Sequence, residues 1–523
     1  MSAAASQPGT RRALRVVAAL FSGLLLVLCF PKPHLSFLSV VALIPLLLAV
    51  VGEVRRRWFF FYGYLTGAVF LAATMPWLYG VMKLHGNLSA FAAAGVLFLY
   101  VALFALFFAL YAWWVGEIAC RSRTRALLLA PVIWVAMEFF RTHWLTGVPW
   151  NLLGYALAKH PALIQVATAT GVYGVSFLVA GVNAILLGFW WARTRRARLW
   201  LAAVALALAG LVASQARLPA VNPAERALLV QTNIPETTQY EPNWVLNHQP
   251  ELLELYRLTN RTATGESPRP TLVIWPEVPA PFYFHHDPVF RAQMIALAQA
   301  TQSYLLVGIV DYRKDATGRD RPYNSAVMLA PSGELVGQYD KIHLVPFGEY
   351  VPYPWLFGPI GRVVPELSDF APGTTKTLLP TAQGRAAVLI CYEAIFPGQV
   401  RSLVARGADL LVNISNDGWF GQSAAPDQHF EMARFRAVET RRYLLRATNS
   451  GITAVIDPYG RVLARAPRDQ RLVFAASFAP RAERTLYVRT GDWFAWLCLL
   501  VALVALARTL WLSALERRVY GNA

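Results

Sequence analysis

About eight apolar runs, each near the roughly 20 residues a helix needs to cross the hydrocarbon core of a bilayer, divide this chain. They fall near residues 13–30, 35–52, 58–82, 88–115, 125–140, 162–192, 198–216 and 493–514. Between the last two lies a stretch, 217–490, of mixed polarity with many turn residues and no spanning run. With 56% hydrophobic and only 15% charged residues, against roughly 25% charged in an ordinary soluble domain, the chain must hide apolar surface in lipid as well as in a core. The expected organisation is an α-helical transmembrane bundle of about seven helices over 1–216, one large inserted domain over 217–490, and a last transmembrane helix with its tail over 491–523.

A net charge of +18 invites a nucleic-acid reading, but residues 217–490 are nearly balanced and the excess sits in the apolar part. No nucleic-acid partner is expected. The basic residues cluster at Arg11, Arg12 and Arg15, at Arg55–Arg57, at Arg121, Arg123 and Arg125, at Arg193–Arg198, and at Arg508, Arg517 and Arg518. With eight crossings all these clusters share one side, and the alternate loops hold only Lys32, Lys83, Arg141 and Lys159. The positive-inside rule then places both termini in the cytoplasm and the large domain outside. The first run follows Arg11-Arg12 but lacks a convincing small-residue cleavage site, so it reads as a retained anchor.

Within 217–490, short β-branched runs read as strands at Ala227–Thr232, Thr271–Trp275, Tyr304–Val310, Ser325–Leu329, Ala386–Ile390, Leu410–Ile414 and Thr453–Ile456. Helical periodicity marks Pro288–Gln302 and Asp427–Ala447. Strands alternating with helices imply a layered α/β architecture. Val345–Pro372 is rich in Pro, Gly and aromatics with neither period, and a loop that long inside a compact domain is usually functional. No glycine-rich phosphate loop, CxxC pair or HExxH occurs, so neither a cofactor nor a metal is expected. His343 and the pair His285-His286 read as structural or surface histidines.

Cys29, Cys120 and Cys498 lie in or beside apolar runs, which leaves Cys391 as a lone thiol in the inserted domain. It ends an apolar strand-like run in the segment Ile390-Cys-Tyr-Glu393, as Glu277 follows one in Trp275-Pro-Glu277 and Lys341 stands in Tyr339-Asp-Lys-Ile-His-Leu-Val-Pro-Phe-Gly-Glu-Tyr350. Strand C-termini of an α/β sheet open onto a common crevice, so these three can converge. Glu277 would take the thiol proton, and Lys341 would stabilise the thiolate and then a tetrahedral oxyanion. Taken singly, a strand Cys is more often a small buried hydrophobe, and an exposed Glu–Lys pair is worth little. The three motifs together favour nucleophilic catalysis.

These segments resemble the nitrilase, or carbon–nitrogen hydrolase, superfamily, whose domain is an α/β/β/α sandwich with a Glu-Lys-Cys triad. With several spans before the domain, one after it, and the segment Asn413-Ile-Ser-Asn-Asp-Gly-Trp-Phe420, the whole chain resembles the membrane-embedded apolipoprotein N-acyltransferases of bacterial envelopes. The resemblance implies Glu277 as general base, Lys341 as oxyanion and thiolate stabiliser and Cys391 as nucleophile, with Glu349, Tyr392 and Glu393 supporting the pocket and Trp419 as a mobile aromatic beside it. Tyr240 stands where an aromatic lid residue, often Trp, is expected, and Trp150 becomes a possible substrate contact. It further implies a phospholipid acyl donor, a diacylglyceryl-modified apolipoprotein acceptor, a thioester on Cys391, and a bacterial inner-membrane location with the domain on the periplasmic side. Val351–Val364, with Tyr353, Trp355, Leu356, Phe357 and Ile360, would supply an apolar cap that excludes water.

Two other readings stay open on residues alone. One is a membrane-tethered amidase or nitrilase acting on a small C–N substrate, and the other is a non-catalytic envelope scaffold. Glu138 and Arg141, three apart on one helix face, are expected to pair near the membrane edge.

Overall fold

The computed structural model describes residues 8–520 except 87, 193, 236–243, 279–281, 315–317, 354 and 356–369. The chain forms two compact units. The first comprises Met1–Tyr79, Phe91–Arg217 and Asp492–Ala523, the second Gly80–Ala90 and Leu218–Gly491.

In the first unit, five described helices are long and apolar enough to cross a membrane unaided: Thr10–Cys29, Ala90–Ala119, Arg123–His143, Val172–Trp191 and Trp493–Glu516. Arg56–Thr74 and Trp77–Leu84 make a sixth crossing only as a pair bent by 50°, with Pro76 at the bend, where it withdraws a backbone donor. A further helix covers Arg195–Ala216. The apolar run at 35–52 is not one helix. It is a 3₁₀ turn, Ser36–Val40, followed by the short helix Ile44–Val51, which opens on Pro45. The broken backbone is satisfied from a neighbour: the Asn183 side chain accepts from Leu43 N–H at 2.9 Å and donates to Ser39 O at 2.8 Å. In hydrocarbon, unpaired peptide groups at such a break would each cost several kcal/mol. Helices also approach closely at Gly63, where a Cβ would run into Phe108 O and Ala112, and at Gly116, where it would meet the Phe59 ring.

Three of the basic clusters find partners within this unit. Arg15 pairs with Glu53 at 2.6 Å, Arg56 with Glu117 at 3.2 Å and Arg121 with Glu516 at 2.8 Å, while Arg12 lies over the Trp58 ring. Glu138 and Arg141 do not form the expected pair. The Glu138 carboxylate accepts from Trp134 Nε1 and Leu153 N, and Arg141 donates to Trp150 O at 3.0 Å. An indole one turn back on the same helix and backbone groups of the following loop thus serve these two residues in place of a direct ion pair.

The second unit holds two six-stranded sheets. One has the order β12-β1-β2-β3-β4-β5 and the other β11-β10-β9-β8-β7-β6. The strands of the first sheet are β1 (Glu225–Gln231), β2 (Leu272–Ile274), β3 (Tyr304–Lys314), β4 (Asp320–Leu329), β5 (Leu335–Asp340) and β12 (Leu472–Phe478). Those of the second are β6 (Leu379–Thr381), β7 (Gly384–Ile390), β8 (Leu410–Ser415), β9 (Leu444–Thr448), β10 (Ala454–Ile456) and β11 (Val462–Arg465). In each sheet the central pairs β1–β2–β3 and β7–β8–β9 are parallel and the outer pairs antiparallel.

Alternation of side chains sorts the core into three layers. Ala227 and Leu229 of β1 and Val388 and Ile390 of β7 meet between the sheets. Leu228 and Val230 face the helices Gln249–Gly265 and Pro288–Thr301, and Ala387 and Leu389 face Pro397–Ala405 and Ala425–Thr440. The result is an α/β/β/α sandwich, and burial on both faces explains why the central strands read as continuous apolar runs. The helix expected over Asp427–Ala447 stops at Thr440, because Arg441 takes a left-handed conformation (φ 54°) and turns the chain into β9.

Gly308 on β3 lies under the Pro276–Val278 backbone, where a Cβ would sit 2.9 Å from Glu277 Cα. Gly308→Ala is expected to cost about 1–3 kcal/mol of stability and to displace Glu277. Denaturant unfolding in detergent checks this, and an unchanged midpoint would show that the backbone yields freely.

Candidate active site

Polar residues that follow four strands of the two sheets, parallel strands and the antiparallel edge strand β5 alike, come together in the second unit. Glu277 follows β2, Lys341 follows β5, Cys391 follows β7, and Asn416 and Asp417 follow β8. Lys341 is 1% exposed, and its Nζ lies 2.8 Å from Glu349 Oε1 and 3.3 Å from Glu277 Oε1. Asn324, on β4, donates its Nδ2 to both carboxylates, at 2.8 Å to Glu277 and 2.9 Å to Glu349. The remaining oxygens accept backbone amides, Glu277 Oε2 from Asn416 N and Glu349 Oε2 from Val345 N, each at 2.8 Å. Burial alone would discharge the ammonium, but Glu349 and Glu277 outweigh it and hold the Lys341 pKa above the ordinary lysine range.

Cys391 opens a 3₁₀ turn, Cys391–Ile395, with φ 52°, a left-handed conformation unusual for a residue with a side chain. The strand-to-turn corner holds Sγ at the strand end, within reach of the charges of Glu277 and Lys341. Burial, aided by Glu277, pushes the thiol pKa up, with Lys341 opposing. The resting group is therefore the thiol.

Glu393 anchors the corner. It is fully buried, and Oε1 accepts from Tyr339 Oη (2.8 Å), Ile342 N (2.7 Å), His343 N (3.2 Å) and Gln399 Nε2 (2.7 Å), while Oε2 accepts from Ile390 N (2.8 Å). It thereby ties the Lys341 strand end to the Cys391 strand end. The Tyr392 ring packs on Phe396 and against His343, which itself stacks on Phe396. Trp419 lies in the turn Asp417–Phe420 and meets the His85 ring edge-on at 4.7 Å. Tyr240, like most of Val351–Val364, lies outside the described residues, though Trp355 is described and is 81% exposed. Trp150 lies in the first unit, buried against the Trp77 ring at 4.9 Å.

Sequence reasoning missed Asn324, whose single amide serves both carboxylates; nothing in Tyr323-Asn-Ser325 singles it out. It also gave no role to Ser415, Asn416, Asp417 or His429. Among the described residues, Cys391, Asp417 and His429 have donor atoms within 4.8 Å of one another, a set that could hold a metal ion. The Arg446 guanidinium already bonds to Asp417 Oδ2 at 2.7 Å and lies 3.2 Å from His429 Nδ1, so a fixed cation engages those donors.

A two-sheet sandwich with an acid, an amine and a thiol at its strand ends defines the second unit as a carbon–nitrogen hydrolase domain, and the model of that family, "Carbon-nitrogen hydrolase", matches residues 228–484. The model "Apolipoprotein N-acyltransferase N-terminal domain" matches residues 22–185. The apolipoprotein N-acyltransferase of Geobacter metallireducens is 38% identical over 502 residues, covering 94% of each chain. Those of Methylococcus capsulatus (37% over 440 residues, 83% of this chain and 84% of the relative) and Azotobacter vinelandii (36% over 497 residues, 92% and 93%) are similar throughout. The chain belongs to the apolipoprotein N-acyltransferase family, and it is an acyltransferase. A solved amidase from Nesterenkonia sp. aligns at 18% identity with a TM-score of 0.38, over 52% of this chain and 95% of its own.

Because the thiol pKa is raised, less thiolate exists at pH 8 than for a free cysteine. Alkylation of Cys391 by a small neutral reagent, followed by peptide mapping, is expected to be slow at pH 8 and to keep rising with pH beyond about 9 instead of levelling there. Glu393→Gln would turn an acceptor toward buried N–H donors, and a loss of about 1–3 kcal/mol or more is expected in denaturant unfolding.

Proposed function

We propose that this enzyme N-acylates the diacylglyceryl-modified N-terminal cysteine of lipoproteins by a ping-pong route, with the sn-1 acyl chain of a phospholipid as donor and a thioester on Cys391 as intermediate. The observation that carries the reading is a permanently charged Lys341 held between Glu277 and Glu349 beside a buried thiol on a left-handed corner. As sulfur attacks the ester carbonyl, the thiol proton passes to Glu277, and the oxyanion forms next to the Lys341 ammonium. Collapse expels the lysophospholipid alkoxide, which takes the proton back from Glu277. The α-amino group of the acceptor then attacks the thioester, Glu277 receives its proton, and Cys391 leaves to be reprotonated as the amide forms. An amide is more stable than a thioester, which drives the second half.

Glu349, Glu393, Tyr392 and Trp419 support and line the pocket in this reading, Trp150 touches substrate, and Tyr240 with Val351–Val364 closes over the site to keep water out. The distribution of basic clusters along the sequence supports cytoplasmic termini and a periplasmic catalytic domain in a bacterial inner membrane.

Intact-protein mass spectrometry after mixing the protein with phospholipid alone is expected to give an acyl-sized, hydroxylamine-labile adduct on the Cys391 peptide and free lysophospholipid. Cys391→Ala is expected to give none. Glu277→Gln and Lys341→Ala are each expected to slow adduct formation by ~10²-fold or more. A folded protein without an adduct would redirect the reading to hydrolysis of small amides or nitriles, followed by ammonia release without lipid.

A further inference from the structure

Behind the nucleophile lies a buried polar cluster that the proton transfers above do not use. His429, in the helix Ala425–Thr440, and Asp417, after β8, are 1% and 0% exposed. His429 Nε2 is 3.0 Å from the carbonyl oxygen of Cys391 itself. A carbonyl only accepts, so Nε2 carries the proton and donates it to the backbone of the nucleophile. On the other side of the ring, Nδ1 lies 3.1 Å from Asp417 Oδ1 and 3.2 Å from Arg446 Nη2. Burial and the Arg446 charge push the His429 pKa down, so with the proton on Nε2 the Nδ1 atom accepts from Arg446 Nη2, and Asp417 acts on the ring through that guanidinium. Asp417 is locked in turn by Arg446 Nη2 at 2.7 Å and by the Ser415 hydroxyl at 2.8 Å. Arg446 sits on β9 and Ser415 ends β8, beside the Cys391 end of β7 in the parallel register. Two neighbouring strands and one helix therefore converge on a single carbonyl.

That carbonyl belongs to a residue at φ 52°. A left-handed conformation with a side chain is strained and persists only where its surroundings over-determine it. Turning the Cys391 peptide out of this corner would swing Sγ away from Glu277 and Lys341.

We infer that His429, aligned by Arg446, which Asp417 fixes in turn, is a positioning residue for the nucleophile: its Nε2–H bond to the Cys391 carbonyl holds the strained corner that aims the sulfur. The inference rests on Cys391 being the nucleophile, and it assigns His429 no proton transfer to substrate. Its signature is a loss in the rate of thioester formation without a change in donor affinity.

The test compares two side-chain amides. His429→Gln places an N–H where Nε2 stood, whereas His429→Asn places one nearer Nδ1, too short to reach the carbonyl. Both full-length proteins in detergent are mixed with phospholipid, and acyl-Cys391 is followed by mass spectrometry alongside wild type and Cys391→Ala. With wild type forming the adduct and Cys391→Ala forming none, the nucleophile reading stands independently of His429; a wild type that forms none fails that reading and this inference with it. The expected result is a Gln variant within about threefold of wild type and an Asn variant slower by ~10- to 100-fold, the scale of a small misplacement at a reacting centre, with the half-saturating phospholipid concentration unchanged. Equal rates for the two variants, or a loss confined to the half-saturating concentration, would overturn the proposal. If neither variant keeps a wild-type melting temperature, the histidine's task is the fold, which overturns it equally.

Discussion

A lysine ammonium with no solvent is the constraint around which the catalytic unit is built. An isolated buried charge costs several kcal/mol even after relaxation, so Lys341 can exist at 1% exposure only with fixed counter-charges. Two carboxylates supply them, and two carboxylates then need donors of their own. Asn324 and the amides of Asn416 and Val345 meet that need. Each donor comes from a different strand or strand end, so satisfying one cation fixes β2, β4, β5 and β8 relative to one another. A half-satisfied network of this kind would be worse than an apolar core, which is why the site is either assembled completely or absent.

Charge and reactivity are divided within this frame. Lys341 is held ionised, whereas burial holds Cys391 toward the thiol form. A resting thiolate is the form most open to oxidation, and the protonated state limits that exposure. Geometry takes over part of what a lowered pKa does elsewhere. The left-handed corner and the five hydrogen bonds to Glu393 fix where the sulfur points before any proton moves.

What the sequence made legible follows from where its signals are local. Glu277 and Cys391 each stand just past an apolar run that forms a parallel strand, so their meeting is readable from position, whereas Lys341 follows the antiparallel edge strand β5 and is legible only through the motif around it. The long apolar helices were readable because their signal is local. Asn324 lies within β4 and shows no such position; its role exists only across strands. The helix at Ala425–Thr440 was extended into β9 because Leu444 and Leu445 continue the apolar content while a left-handed Arg441, which the sequence does not mark, redirects the chain. The break at 35–52 was hidden because its compensation, Asn183, is remote by more than a hundred residues. His429 read as one polar position on a helix that is in fact buried along nearly its whole length.

The grouping of Gly80–Ala90 with the second unit has a consequence for how such a protein can be taken apart. His85, borne on a segment between apolar helices, packs its ring on Trp419 in the strand-end turn. The catalytic fold is therefore discontinuous in the chain. A fragment cut at residue 218 would carry Glu277, Lys341 and Cys391 and still lack the His85 ring that packs on Trp419. Expression of the second unit by itself would need the 80–90 segment joined back to residues 218–491.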